Sequence, residues 1–328
     1  MIKLSKDPVI AKEYARRILT DKGNYISPKT KLENWIKSAS NGGDKRTMEY
    51  VLENLEYILI SEPKILQEIK DHMTSSGLFT HIYDTNGSTL TPLGKKIDDF
   101  FGYDRFRKSA KAVWLSKKLN IKSCVYCNTQ YGLTVDHNGK TKLLFHIDHY
   151  FPQKIYPFLS LSFYNLIPCC ASCNMSKTAN EYNLSDNIHP YEEDVHTIAK
   201  YKVDKGTLTR YLMNLDEDDI KIKLELRGKY LGNKLLEKKL NHFKSEFKLE
   251  SQYRQFTDIA AEIFLKSVYY NSSRKKEIIN FFKTTHSINI DEELIHRFII
   301  GNYTENKDLL KRPLAKLMKD LGEQVHII

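Results

Sequence analysis

Two C-x-x-C pairs constrain this chain more than any other feature of its sequence. The first pair is Cys124 and Cys127, and the second pair is Cys170 and Cys173. This spacing suits one tetrahedral zinc ion held by four thiolates. Four protein ligands leave no open coordination position, so the sequence predicts a structural Zn²⁺ and not a catalytic one.

A fifth cysteine, Cys169, stands directly before the second pair. Pairing Cys170 with Cys173 gives C-x-x-C, which has the better bite, whereas pairing Cys169 with Cys173 gives the alternative C-x-x-x-C. We favour the first pairing and expect Cys169 to be buried and inert. An odd number of cysteines, four of them in metal spacing, argues against a disulfide scaffold and predicts a protein of the reducing cytoplasm.

The charge of the chain narrows the range of partners. Its 328 residues include 51 Lys+Arg against 41 Asp+Glu, a formal net charge of +10. Such an excess favours a polyanionic partner such as a nucleic acid, although a solubilising surface has the same composition. The sequence contains no run of about 18 apolar residues and no signal-like N-terminus, so we expect neither a membrane span nor secretion.

Hydrophobic periodicity predicts an α+β chain in which helices dominate. Residues 1–120 are predicted to be a helical N-terminal region, with helices beginning at Asp7-Pro8 and at Pro63 and a loop over 74–92. Arg105–Leu119 is predicted to be one amphipathic helix with a basic face. That face suits nucleic-acid phosphates, and it equally suits solvent.

The remaining sequence divides into two further regions. Residues 121–190 predict a β-hairpin turned at Asn138-Gly139 and a short helix starting near Asn174. Residues 191–328 predict a mainly helical C-terminal region, with a strand over Ile220–Leu226 and a helix over Glu292–Ile300.

A histidine-carboxylate cluster stands between the two cysteine pairs, in the run H-I-D-H of His146, Asp148 and His149. A carboxylate is a natural ligand for Mg²⁺, and a neutral imidazole can take a proton from water near pH 7. Neighbouring residues on a strand point to opposite faces, so Asp148 and His149 share a site only if the strand ends or twists there. The following Phe151-Pro152 favours such an end.

The runs D-H-Y-F-P, N-L and C-x-x-C-N-x-x-K occur in this order between Asp148 and Lys177. Together with the first cysteine pair they resemble the HNH endonucleases of the ββα-metal type, specifically the members stitched by a four-cysteine zinc. The resemblance implies that residues 121–190 form a zinc-bound ββα-metal nuclease domain at the centre of the mostly helical chain.

The resemblance also implies roles for single residues. His149 matches the general base that activates water, and Asp148 matches the first ligand of a catalytic Mg²⁺ or Mn²⁺. Asn165 matches the middle asparagine, which steadies the loop that carries the base. Asn174 matches the last metal ligand, where other members have histidine, and its amide still offers an oxygen to a hard cation.

Two further residues have weaker matches. Lys177 occupies a position from which a basic residue can touch the scissile phosphate, and His146 is a candidate extra ligand or phosphate contact. Because the base must be neutral, an imidazole with an ordinary pKa predicts that activity falls below about pH 6.

The flanking regions are expected to bind substrate or a partner, or to regulate the nuclease. The runs Y-P-F-L-S-L-S-F-Y-N-L and K-R-P-L-A-K-L are similar to HNH effector subunits of bacterial anti-phage systems. In the Septu type these subunits work beside a separate ATPase, and this chain has no P-loop motif of its own. The similarity therefore implies antiviral defence with an ATPase partner.

Two other interpretations remain. A non-catalytic zinc-ribbon protein that binds nucleic acid would need the cysteines and the basic charge, but not Asp148, His149, Asn165 and Asn174 together. An HNH nuclease acting on RNA is the other, because nothing in the sequence reads a 2′-hydroxyl and DNA is preferred through the resemblance alone.

Overall fold

The computed structural model describes residues 2–177 and 181–328. Helices dominate these residues and small sheets accompany them, in accord with the predicted α+β class. The α-helices are α1 (Pro8–Leu19), α2 (Pro28–Ser38), α3 (Gly43–Glu53), α4 (Leu55–Ile60), α5 (Pro63–Ser75), α6 (Pro92–Phe101), α7 (Tyr103–Arg107), α8 (Ala110–Leu119), α9 (Ala171–Ser176), α10 (Val195–Ile198), α11 (Lys205–Asn214), α12 (Lys234–Glu246), α13 (Leu249–Tyr253), α14 (Thr257–Tyr269), α15 (Ser272–His286), α16 (Glu292–Ile300) and α17 (Ala315–Gln324). Short 3-10 helices span Leu78–His81, Pro157–Leu159, Phe163–Asn165, Glu217–Asp219, Gly228–Tyr230, Arg254–Phe256 and Asn306–Lys311. The strands are β1 (Tyr83–Asp84), β2 (Thr89–Leu90), β3 (Leu133–His137), β4 (Lys140–Leu144), β5 (His146–His149), β6 (Leu166–Cys169), β7 (Ala199–Val203) and β8 (Ile222–Leu226). They form two-stranded sheets that pair β1 with β2, β3 with β4, β5 with β6 and β7 with β8.

Proline and polar caps set the starts of the N-terminal helices. The Asp7 carboxylate accepts hydrogen bonds from the N–H groups of Val9 (3.0 Å) and Ile10 (2.9 Å), while Pro8 has no N–H to satisfy. Pro63 likewise occupies the first position of α5, where the preceding Glu62 makes no side-chain capping hydrogen bond. The helix starts predicted at Asp7-Pro8 and at Pro63 are confirmed.

The basic segment Arg105–Leu119 is not the single helix that its pattern predicted. Helix α7 ends at Arg107 and α8 begins at Ala110, with Ser109 extended between them (φ −94°, ψ 163°). The Ser109 hydroxyl accepts a hydrogen bond from the N–H of Lys111. A serine hydroxyl competes for backbone groups in this way, which favours a cap over a helix interior.

The predicted loop over 74–92 also contains regular structure. A 3-10 helix spans Leu78–His81, and the short antiparallel pair β1 and β2 follows it, with Tyr83 opposite Leu90.

The turn at Asn138-Gly139 is confirmed, because both residues have positive φ (49° and 70°) between the paired strands β3 and β4. Positive φ at both central positions is the signature of the type I′ hairpin turn.

The C-terminal strand prediction was right but incomplete. Strand β8 lies within the predicted Ile220–Leu226, and it pairs antiparallel with β7, which was not predicted. The sequence of β7, A-K-Y-K-V, does alternate, and its first, third and fifth residues are buried. Helix α16 has the predicted bounds Glu292–Ile300.

Strands β5 and β6 with helix α9 form a small β-β-α arrangement. The strands are antiparallel, with His146 opposite Cys169 and His149 opposite Leu166. Helix α9 follows β6 after one residue and packs against β5. It begins earlier than the sequence indicated, because Cys170 caps it, so Asn174 lies inside the helix and not at its start.

The described chain forms two compact units, each built from separate segments. The first unit comprises Leu4–Asn120 and Thr134–Glu193, and the second comprises Met1–Lys3, Ile121–Leu133 and Asp194–Ile328. The functional division into regions 1–120, 121–190 and 191–328 stays a prediction.

Aromatic rings from distant segments form the core of the first unit. The buried ring of Tyr14 meets Phe106 edge-on at 5.9 Å and Phe163 at 5.6 Å between ring centroids. The Tyr14 hydroxyl donates to the carbonyl of Leu161 at 3.0 Å, so the buried phenol is satisfied. Helix α1 is thereby fixed against the segment that leads into β6.

A buried ion pair organises the second unit. Lys316 and Asp320, one turn apart on α17, approach to 2.7 Å, and both side chains are almost fully buried. Asp320 also accepts the N–H of Tyr201 at 2.9 Å, and Lys316 donates to the carbonyl of Ala199 at 2.8 Å. Since buried charges persist only when fully paired, these bonds hold α17 against β7.

Among residues 2–177 and 181–328, the structure contains no helix with the length and apolar character needed to cross a membrane.

The buried His189 makes the stability of the first unit depend on pH. Its Nδ1 accepts the N–H of Tyr191 at 3.1 Å, and burial holds its pKa well below 6.5. The unfolded chain therefore binds a proton that the folded chain refuses, so stability is full above about pH 6.5 and falls by about 1.4 kcal/mol per pH unit below it. In urea titrations at pH 7.5 and pH 5, His189→Gln should reduce this loss, and His137→Gln, at an exposed position, should not. Equal pH dependence of the parent and His189→Gln would contradict this origin.

Candidate functional site

The four cysteines of the two pairs form one buried cluster. The sulfur atoms of Cys124, Cys127, Cys170 and Cys173 lie within 4.8 Å of one another. Four sulfurs on one tetrahedral zinc at about 2.3 Å would lie roughly 3.8 Å apart, so the cluster needs little movement to hold one ion. The cluster can therefore bind a metal such as zinc, as the spacing predicted.

Local hydrogen bonds prepare the first pair for this role. The sulfur of Cys127 accepts hydrogen bonds from the N–H and the hydroxyl of Thr129, at 3.4 and 3.1 Å. Asn128, with φ of 56°, turns the chain after the pair and donates to the Ser123 hydroxyl at 2.9 Å. Donors aimed at a sulfur stabilise the thiolate that a metal requires.

The second pair is set by the start of α9. The sulfur of Cys170 accepts the N–H of Cys173 at 3.4 Å, so one cysteine caps the helix that carries the other. Cys169 ends strand β6, is buried and lies outside the cluster of four. Burial raises the pKa of the Cys169 thiol well above its ordinary value, in accord with the inert residue that was expected.

The histidine-carboxylate cluster lies in a cavity of about 630 Å³ in the first unit. Five predicted site residues line this cavity, which we call the β5 cavity: His146, Asp148, His149, Asn174 and Lys177. Asp148 and His149 reach the same cavity although they are neighbours, because β5 ends at His149 and the chain bends directly after it. The sixth predicted residue, Asn165, is buried and does not line the cavity.

His149 is held by a carbonyl and by an aromatic ring. Its Nε2 lies 2.9 Å from the carbonyl oxygen of Ser160, and the Tyr103 ring packs edge-on at 4.2 Å between centroids. A carbonyl can only accept, so Nε2 carries the proton and Nδ1 keeps a lone pair. Burial lowers the pKa of His149 to about 4. An ordinary imidazole pKa predicted that the neutral form is lost near pH 6. The loss instead moves to lower pH, because a desolvated imidazole resists protonation.

Asp148 is paired with a buried lysine. The ammonium of Lys177 lies 3.0 Å from an Asp148 carboxylate oxygen and donates to the backbone carbonyls of His149 and Tyr150. These bonds fix the carboxylate at the end of β5 and direct the lysine inward. The predicted contact of Lys177 with a phosphate stays a prediction.

His146 and Asn174 form a second polar pair. The Asn174 amide Nδ2 donates to the His146 Nδ1 at 3.2 Å, across the small gap between β5 and α9. His146 is exposed and Asn174 is half-buried. The cavity therefore offers the Asp148 carboxylate and the Asn174 amide as oxygen donors of the kind that a hard cation prefers, with the His146 imidazole beside Asn174.

Asn165 fixes the loop that leaves β5. Its Oδ1 accepts the N–H of Phe151 at 2.7 Å, and its Nδ2 donates to the carbonyls of Phe151 (3.1 Å) and Leu159 (2.9 Å). The loop it holds begins two residues after His149 and ends just before Ser160, the acceptor of the His149 ring. The amide thereby stabilises the chain on both sides of the imidazole.

Other residues at the β5 cavity did not stand out as site residues in the sequence. Arg107 and Lys108 line it, and so do Tyr103, Gln153 and Lys154. The first two belong to the basic segment that the sequence marked for phosphates, whereas Tyr103 carried no signal, since its role depends on contact with His149. The Tyr103 hydroxyl donates to the carbonyl of Ile147 at 2.7 Å and so joins α7 to β5.

Comparisons of the chain with known protein families, with curated proteins and with solved structures found no match.

The cysteine assignment makes a prediction about metal content. Purified protein should carry about one zinc per chain, and Cys170→Ser should lose it together with stability, because a structural zinc contributes folding free energy. Cys169→Ser, one residue away, should keep the metal. Atomic absorption and thermal unfolding of the three proteins check this, and zinc loss in Cys169→Ser with retention in Cys170→Ser would reverse the assignment.

Proposed function

We propose that this chain is a metal-dependent HNH endonuclease that hydrolyses DNA phosphodiester bonds. One observation carries the proposal: His149, Asp148 and Asn174, the positions matching the base and metal ligands of that family, line the same cavity. The β-β-α order of β5, β6 and α9 supports it as well. A zinc-ribbon binder would have no use for this convergence.

The fixed tautomer suits His149 to general-base work. Because Nε2–H donates a hydrogen bond to the Ser160 carbonyl, Nδ1 is the ring atom whose lone pair can take a proton from water. The low pKa keeps the free imidazole neutral, and the negative charge of a bound phosphate would raise that pKa and strengthen the base.

The donor set of the β5 cavity fits a hard divalent cation. Asp148 and Asn174 would hold it through a carboxylate and an amide oxygen, with His146 beside Asn174 as a further donor. When bound, Mg²⁺ or Mn²⁺ supplies positive charge to the scissile phosphate and to the leaving oxygen. Lys177 keeps the Asp148 carboxylate oriented, since its ammonium is itself anchored by two backbone carbonyls.

Cations at the β5 cavity suit the nucleic-acid backbone. Arg107, Lys108 and Lys154 line it, and the chain as a whole carries a net charge of +10. Contacts of this kind position a strand without reading its bases. DNA is preferred over RNA through the family resemblance alone, so both substrates belong in the assay.

The similarity of the flanking sequence to effector subunits of anti-phage systems suggests a biological role for the nuclease. We place the chain as the nuclease effector of a bacterial anti-phage system of the Septu type, with a separate ATPase as partner and with a structural zinc in the four-cysteine cluster. Purification of the native assembly through a tag on this chain identifies the partner.

Loss of the base should abolish cleavage. His149→Ala should nick supercoiled plasmid about 10²–10⁴-fold more slowly, the usual contribution of a general base, while its DNA affinity stays close to that of the parent. Its melting temperature should fall, because a buried ring and its hydrogen bond to Ser160 are lost, so the rates are compared below the unfolding transition of the variant. His137→Ala, at an exposed hairpin position, is the matched control and should cut at the parental rate. Undiminished nicking by a folded His149→Ala protein would sink the assignment.

Metal removal provides an independent test. After EDTA and dialysis, with the zinc content verified, nicking should stop and should return with Mg²⁺ or Mn²⁺. Asp148→Asn, which keeps the shape of the side chain and removes its charge, should need a higher metal concentration for the same nicking rate.

The same assay distinguishes the substrates, because it compares plasmid DNA with single-stranded RNA, for the chain alone and for the native assembly. Tight binding without cleavage under every condition would favour the non-catalytic zinc-ribbon protein.

A further inference from the structure

A second cavity of the first unit, of about 350 Å³, lies against helix α7 and has no part in the proposed hydrolysis. We call it the Lys111 cavity. Aromatic side chains form much of its wall, namely Tyr25, Phe100, Phe101 and Phe106. A cavity of this volume with an aromatic lining is typical of sites that bind a small ligand containing a ring.

The ammonium of Lys111 is buried in this wall without an acceptor. Among residues 2–177 and 181–328, no atom forms a hydrogen bond with Lys111 Nζ, which lies over the Tyr25 ring, 2.8 Å from its centroid. Burial lowers the pKa of Lys111 to about 8, against an opposing attraction to Asp21. The amine is thus still mostly charged at neutral pH.

The charged residues that line the Lys111 cavity are all cationic. Lys22, Lys31 and Arg105 line it beside Lys111, and none of the described carboxylates does. Arg105 is engaged with Asp99 at 2.9 Å, and Lys31 reaches the carbonyl of Phe100 at 3.3 Å. The cavity therefore combines an apolar aromatic wall with an excess of cations.

The protein itself compensates Lys111 only in part. Removing an ammonium from water is costly, and the attraction of the charge to the face of the Tyr25 ring offsets only part of that cost. A ligand anion would supply the missing acceptor, and a planar ring on the same ligand would fit the aromatic wall. A ligand that carries both the anion and the ring would therefore satisfy Lys111 and fill the apolar part of the cavity.

We propose that the Lys111 cavity is a binding site for a small anion with a planar aromatic body, whose acidic group pairs with Lys111 and whose ring packs on Phe100 and Phe106. This proposal does not depend on nuclease activity. It assigns to Lys111 a ligand contact that the resemblance to HNH endonucleases does not include.

The test is calorimetric titration of the full chain at pH 7 with naphthalene-2-sulfonate and with its neutral isostere naphthalene-2-sulfonamide. The sulfonate should bind at one site, about tenfold or more tighter than the sulfonamide, as expected for a hydrogen bond to a charged group. Lys111→Met should weaken sulfonate binding about tenfold or more, and Lys117→Met, at an exposed position of the same helix, should leave it unchanged. Titration with 2-naphthoate and with adenosine monophosphate then separates a carboxylate from a nucleotide as the preferred source of the anion.

Three results would overturn the proposal: no binding of any probe, equal affinity for sulfonate and sulfonamide, or equal losses in Lys111→Met and Lys117→Met. If Lys111→Met fails to fold, Ala110→Trp serves instead, because Ala110 is exposed and lines the cavity, so that a tryptophan there would fill its mouth. A folded Ala110→Trp protein that binds the sulfonate as the parent does would also overturn the proposal.

Discussion

The antiparallel pairing of β5 with β6 is the constraint on which the β5 cavity depends. It places His149 opposite Leu166, and the Asn165 amide, one residue earlier, bonds to the loop that leaves β5. A buried amide with three satisfied hydrogen bonds tolerates little displacement, because each lost bond leaves a polar group unpaired in the interior. The direction of the His149 ring follows from this closure, since its acceptor Ser160 lies at the end of the same loop.

Burial gives the polar groups of this region their chemical character. Desolvation keeps the His149 imidazole neutral, and it also obliges Asp148 to pair with Lys177. One low-dielectric environment therefore holds a neutral imidazole beside a carboxylate that is paired with a lysine. This arrangement arises from the packing of β5, α7 and α9 within the first unit.

Helix α7 connects two different environments of the first unit. Tyr103 and Arg107 line the β5 cavity, while Arg105 and Phe106 line the Lys111 cavity. A helix of five residues has little internal stability, so its position depends on contacts on both sides.

The sequence alone determined the features that depend on residue type and short spacing: the two cysteine pairs that can hold one metal, the Asn138-Gly139 turn, the helix starts at Asp7 and Pro63, and a cluster of histidine and carboxylate side chains. These follow from local geometry, which a few neighbouring residues fix. Tertiary structure decided the partner of Lys177, the contact of Tyr103 with His149, the low pKa of that histidine and the buried ammonium of Lys111. Each of these arises from burial or from contact between residues far apart in the chain, and no local pattern encodes which distant groups will exclude water from one another.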